Sequence, residues 1–136
     1  MKILGVSNTF DSGAALIVEG EIVGAVNEER FTRTKLDRSF PRYSIEYLLQ
    51  SPEIAIQDID TVAVGCWNGI DQKETLPRLI EDVLFQTNSD DPSTVETVMT
   101  RINTSGTTDN RLRDELCQEL YAIGVTASQI QFYDHH

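Results

Sequence analysis

The sequence predicts an α/β fold: a five-stranded mixed sheet that opens with an antiparallel meander and has helices packed on it. Two observations carry that expectation. Three short apolar runs, separated only by turn residues, fill the first 26 positions. Beyond them, apolar residues at helical spacing alternate with short unbroken apolar stretches, the pattern of helices that connect buried strands.

Taken in order, Lys2 to Ser7 is an apolar run suited to a buried strand, followed by the polar turn Asn8-Thr9-Phe10-Asp11-Ser12-Gly13. A second run, Ala14 to Val18, leads through Glu19-Gly20-Glu21 into a third, Ile22 to Val26. This is a hairpin signal, with Gly20 supplying the unusual dihedral angle. The turn at Asn8–Gly13 would then project backbone N–H groups from one end of the sheet, as phosphate-cradling turns do, although most turns of this composition merely reverse the chain. Pro41 and Ser44 start a helix with Ile45, Leu48 and Leu49 on one face, ended by Ser51-Pro52. Ile54 to Asp60 connects to a fourth strand, Thr61 to Cys66, broken by Trp67-Asn68-Gly69. A helical insertion spans about 71–110. Arg111 to Ile123 is the clearest helix, with Leu112, Leu116, Leu120 and Ile123 on one stripe and Gly124 as its stop. Val125 to Gln129 leads into the fifth strand at Ile130-Gln-Phe-Tyr, ahead of Asp134-His135-His136.

Composition narrows the class. The 136 residues make one domain or part of one, with 40% hydrophobic and 24% charged residues, ordinary values for a chain with a buried core. A net charge of −11 and a pI near 4.4 repel nucleic acid and anionic membrane surfaces, so neither is expected as a partner. No apolar run approaches membrane-spanning length. Met1-Lys2 leads straight into Ile-Leu-Gly-Val with no cleavage signal, which predicts a cytoplasmic protein. Cys66 and Cys117 lack metal-ligand spacing and are expected as buried thiols.

Against this acidic background, Arg30, Arg33, Lys35, Arg38 and Arg42 gather in one segment, E-E-R-F-T-R-T-K-L-D-R-S-F-P and the residue after it. Such a cluster either pairs with nearby carboxylates, here Glu28, Glu29 and Asp37, or holds an anion such as phosphate. The element order β-β-β-α-β-(insertion)-α-β fits the first lobe of an actin-like, sugar-kinase-like ATPase fold better than a plain doubly wound sheet, which has no opening meander.

K-I-L-G-V-S, the segment from D-S-G-A-A-L through E-E-R-F-T-R-T-K-L-D-R-S-F-P, then I-x-Y-L-L, D-I-D and F-Y-D-H-H resemble the N-terminus of the NodU/CmcH O-carbamoyltransferases. The resemblance implies a transferase of small-molecule biosynthesis. Its N-terminal domain binds a divalent metal, iron or zinc, and a YrdC-like domain makes carbamoyladenylate from ATP and carbamoyl phosphate. The carbamoyl group then passes to a hydroxyl of a small-molecule acceptor. On this reading residues 1–136 are a partial N-terminal lobe, inactive alone and prone to self-association through an uncovered fifth strand.

The resemblance also assigns residues. His135 would be the first histidine of an H-x-x-x-H metal motif whose second member lies beyond the chain, spacing that lets two imidazoles on one helix face share a cation. Lys35 would lie near the carbamoyladenylate pocket, and Asp11 would be the acidic residue of the first turn; both are candidate catalytic residues. Arg30, Arg33 and Ser12 are the candidates for holding the nucleotide. Phe10 stands where the family commonly has histidine, and Leu36 interrupts what is often K-H-D. Those departures leave room for a different acceptor, a weakened activity, or a non-catalytic regulatory or scaffold module. A sugar-kinase-like ATPase is the remaining alternative.

Overall fold

The computed structural model describes residues 1–8, 11–66, 96, 100 and 111–134. It divides into two units, Met1–Cys66 with Asp114–His136, and Trp67–Arg113. Everything below concerns the first. The expected insertion at 71–110 apart from residues 96 and 100, the Trp67-Asn68-Gly69 break, Phe10 and the two histidines lie outside the described residues.

The first unit is the expected α/β fold with a five-stranded mixed sheet. Its strands are β1 (Lys2–Ser7), β2 (Gly13–Val18), β3 (Glu21–Asn27), β4 (Thr61–Cys66) and β5 (Ile130–Asp134). They are ordered β3-β2-β1-β4-β5. β1 and β3 each pair antiparallel with β2, whereas β4 runs parallel to β1 and to β5. This is the arrangement of the first lobe of an actin-like, sugar-kinase-like fold. Its consequence for function is geometric: β1, β3, β4 and β5 all end, and β2 begins, at one end of the sheet.

The β2–β3 turn is a two-residue reversal in which both Glu19 (φ 50°) and Gly20 (φ 84°) are left-handed. The strain is therefore shared with a glutamate and not carried by Gly20 alone. One step later the register shifts at Leu16/Ile17, which leaves Val23 as an extra residue and Ile22 and Val23 exposed.

One sheet face is the core face. Leu4 and Val6, Ala14 and Leu16, and Val62 and Val64 are buried there in register across three adjacent strands. Helix α2 (Arg42–Gln50) covers them through Ile45 and Leu48, and the helical residues 114–122 do so through Leu116 and Leu120. Each of these four helix side chains is at most 3% exposed, so the two apolar stripes read from the sequence are the ones buried. Gly124, at φ +100°, ends the last helix as expected. Cys117 is half-buried, less sequestered than the sequence suggested, and the Cys66 side chain lies outside the described set.

One element escaped the sequence. Glu29–Thr32 forms a single helical turn, α1, closed by Arg33 in the left-handed region at φ 61°. Its Phe31 ring lies 6.4 Å from Tyr43 and 5.6 Å from Tyr47 of α2, centroid to centroid, which fixes the turn against that helix. No helix among the described residues is long and apolar enough to cross a membrane.

Candidate functional site

The basic segment leaves the end of β3 and runs through α1 to the start of α2. What anchors it is a carboxylate. Glu28 follows Gly24 and Val26 at the two-residue strand period, so it inherits the core-facing side and is 1% exposed. Buried there, it must accept hydrogen bonds, and α2 offers the unpaired N–H groups of its first turn. Glu28 Oε1 accepts from Tyr43 N at 3.0 Å, and Oε2 accepts from Ser44 N at 2.9 Å and Ser44 Oγ at 2.6 Å. Ser44, expected to start the helix, instead lies within its first turn and donates to Glu28. The helix is capped from outside by a residue 16 positions upstream.

Lys35 and Arg42 are ion-paired. Lys35 Nζ lies 3.1 Å from Glu29 Oε1, with its side chain 88% exposed, so the pair adds little to stability. Arg42 meets Glu119 at 3.0 Å and stacks over the Phe40 ring at 5.6 Å. Arg30 and Arg33 are exposed and make no ion pair with another described residue. They line, with Glu29, Thr34 and Lys35, an open depression of about 360 Å³. Of the two expected uses, pairing is present in part, and Arg30 and Arg33 present guanidinium groups to solvent.

Of the three expected carboxylate partners, only Glu29 takes a lysine. Asp37 binds polar donors: Thr32 Oγ1 at 2.6 Å and Ser39 N at 2.8 Å. Hydrogen bonds from Ser39 and then Thr32 hold its carboxyl below the ordinary value of 3.8. A lowered folded value means the stabilisation is fully present above 3.8 and is lost as pH falls through the folded value. The carboxylate is thus charged throughout the neutral range.

The other candidates fall in different places. Ser12, 1% exposed, presents no hydroxyl to solvent: its Oγ donates to the Ser39 carbonyl at 2.6 Å. Asp11 is exposed and lines a separate, shallow depression of about 350 Å³ over the face opposite the core. That face is nearly smooth, since Gly5, Ala15, Ala25 and Ala63 sit side by side in register across it, with Gly65 two residues beyond Ala63 along β4. So Arg30, Arg33 and Lys35 are brought together, Ser12 is buried behind their loop, and Asp11 stands apart. His135 lies outside the described residues. Among the described residues no group of three or more His, Cys, Asp or Glu side chains could hold a metal ion.

Sequence reasoning treated Glu28 only as a partner for cations. The strand period that buries it was readable; the donors that satisfy it were not, because they come from a helix reached through a loop of unpredicted path.

A family model described as carbamoyltransferase N-terminus matches residues 2–135. An uncharacterised protein of Synechocystis is 49% identical over 61 residues, 44% of this chain and 10% of that protein. The nodulation protein NolNO of Sinorhizobium fredii is 40% identical over 62 residues, 44% of this chain and 9% of its own length. An uncharacterised protein of Methanocaldococcus jannaschii is 40% identical over 63 residues, 46% of this chain and 12% of its own. The matched stretch thus spans about a tenth of the length of these relatives.

Proposed function

This chain belongs to the carbamoyltransferase N-terminus family, and on that premise we propose that it is the first lobe of a cytoplasmic O-carbamoyltransferase. The full-length enzyme makes carbamoyladenylate from ATP and carbamoyl phosphate and passes the carbamoyl group to a hydroxyl of a small biosynthetic molecule. The 136 residues do not turn over alone.

In that reaction the acceptor oxygen attacks the carbamoyl carbon, the bond from that carbon to the phosphate oxygen breaks, and AMP departs as the acceptor gives up its proton. Negative charge grows on the departing phosphate. Cations positioned there lower the barrier, because they bind the transition state more strongly than the ground state. The supporting observation is the pair Arg30 and Arg33, lining one depression in a chain of net charge −11. Lys35, on the same rim, leaves Glu29 at small cost and adds a third positive charge. Asp11, exposed in a separate depression beside the end of β1, is the carboxylate we assign to take the acceptor's proton. The divalent metal of this family, iron or zinc, would supply Lewis acidity. The described residues give it no ligand set, His135 being outside them.

The test uses the full-length protein with ATP, carbamoyl phosphate and a panel of alcohols. Arg30→Ala and Arg33→Ala are each expected to slow carbamoyl transfer about tenfold to a hundredfold while pyrophosphate release continues. Undiminished transfer in both variants would remove the assigned role. ATP hydrolysis without carbamoyl phosphate would favour a sugar-kinase-like lobe. Neither reaction would favour the non-catalytic module, the reading to which the Lys35–Glu29 pair and the exposed Leu36 lend weight.

A further inference from the structure

The cation-bearing loop is held by residues that carry no positive charge. Ser12 N donates to the Asp37 carbonyl at 2.8 Å, Ser12 Oγ donates to the Ser39 carbonyl at 2.6 Å, and Glu28 N donates to the Ser12 carbonyl at 2.8 Å. The first turn and the basic segment, distant in sequence, therefore meet at one buried serine. A second tie lies within the loop. The two oxygens of Asp37 take Thr32 Oγ1 and Ser39 N, drawing Thr32, Asp37 and Ser39 together and leaving Arg33, Thr34 and Lys35 at the tip. Those are three of the five residues that line the depression. Arg33 (φ 61°) and Leu36 (φ 54°) are both left-handed, a conformation that costs energy in any residue but glycine and persists only where surroundings enforce it.

Resting on the anion-site reading above, we propose that Asp37 and Ser12 are positioning residues of that site: Asp37 sets the conformation of the Arg33–Lys35 tip, and Ser12 seats the loop on the start of β2. Neither touches the ligand. A guanidinium grips a phosphate through N–H groups in a fixed fork, so its effect depends on where the backbone holds it. Released from Asp37, the loop keeps every cation but must be ordered on each binding event, which weakens affinity without removing a single contact. The carboxylate's ionisation at neutral pH keeps both acceptor oxygens available to Thr32 and Ser39.

The experiment titrates the full-length protein with inorganic pyrophosphate, binding at this site being read as protection of the amides of residues 30–36 in hydrogen exchange. Asp37→Ala and Arg33→Ala are each expected to raise Kd about tenfold, or about 1.4 kcal/mol. Asp37→Asn should recover most of that loss, because its oxygen still accepts from Ser39 N and its amide can donate to Thr32 Oγ1. Ser12→Ala, should Asp37→Ala not fold, carries the same test with a smaller rise. Exchange at the amides of residues 33–36 should quicken in Asp37→Ala even without ligand, which a defect elsewhere in the fold would not produce selectively. Unchanged affinity in folded Asp37→Ala, alongside lost binding in Arg33→Ala, overturns the positioning role and leaves the anion site standing. Absence of pyrophosphate binding in the wild type, or full binding in both Arg30→Ala and Arg33→Ala, overturns the anion site and the inference with it.

Discussion

Glu28→Ala is expected to destabilise the chain by about 3 kcal/mol, measured by urea unfolding. The side chain is 1% exposed and accepts three hydrogen bonds, two of them from the buried Ser44. Truncation removes the acceptor and leaves those donors without water, a larger penalty than the loss of the bonds themselves. Because the donors are the first-turn groups of α2, the helix loses its cap in the same step. Glu28→Gln should lose only about half as much, since one oxygen remains to accept. A loss below about 1 kcal/mol for the alanine variant would mean that α2 holds its place without the carboxylate.

Gly13→Ala should cost about 2 to 3 kcal/mol, from close approach of backbone and not from conformational freedom. A Cβ at Gly13 would sit 2.7 Å from the Val26 carbonyl oxygen and 3.1 Å from Asn27 Cα. Both belong to the main chain of β3, so no side chain can swing aside, and β2 and β3 must separate just before Glu28. Gly5→Ala is the built-in control. There the nearest atom is the Ala15 carbonyl at 3.8 Å, ordinary contact, and stability should hardly change. Equal effects at the two positions would show that strand propensity, and not the β2–β3 approach, sets the cost.

What could be read from the sequence was what repeats. Apolar runs and stripes placed all five strands, α2 and the last helix to within a residue or two, because burial acts on many side chains at once. What escaped depends on single partners. The turn α1 has four residues and no apolar period, and it exists because Phe31 finds Tyr43 and Tyr47. Ser12 looked like a ligand-binding hydroxyl in a polar turn; its role is set by Asp37 and Ser39, 25 and 27 residues on. The cluster of cations was legible as composition, but the pairing of Lys35 and Arg42 depended on where Glu29 and Glu119 came to rest.

The strand order carries a measure of length. The basic segment departs from β3 and His135 follows the last residue of β5, and these strands are the two outer edges of the sheet. Four inter-strand steps of roughly 4.8 Å set their ends some 19 Å apart, on the same rim. A compact oxyanion is too short to bridge that rim. Any molecule engaging both margins must lie stretched across the intervening strand tips, and whatever joins its two halves would pass over Ser7 and the start of β2.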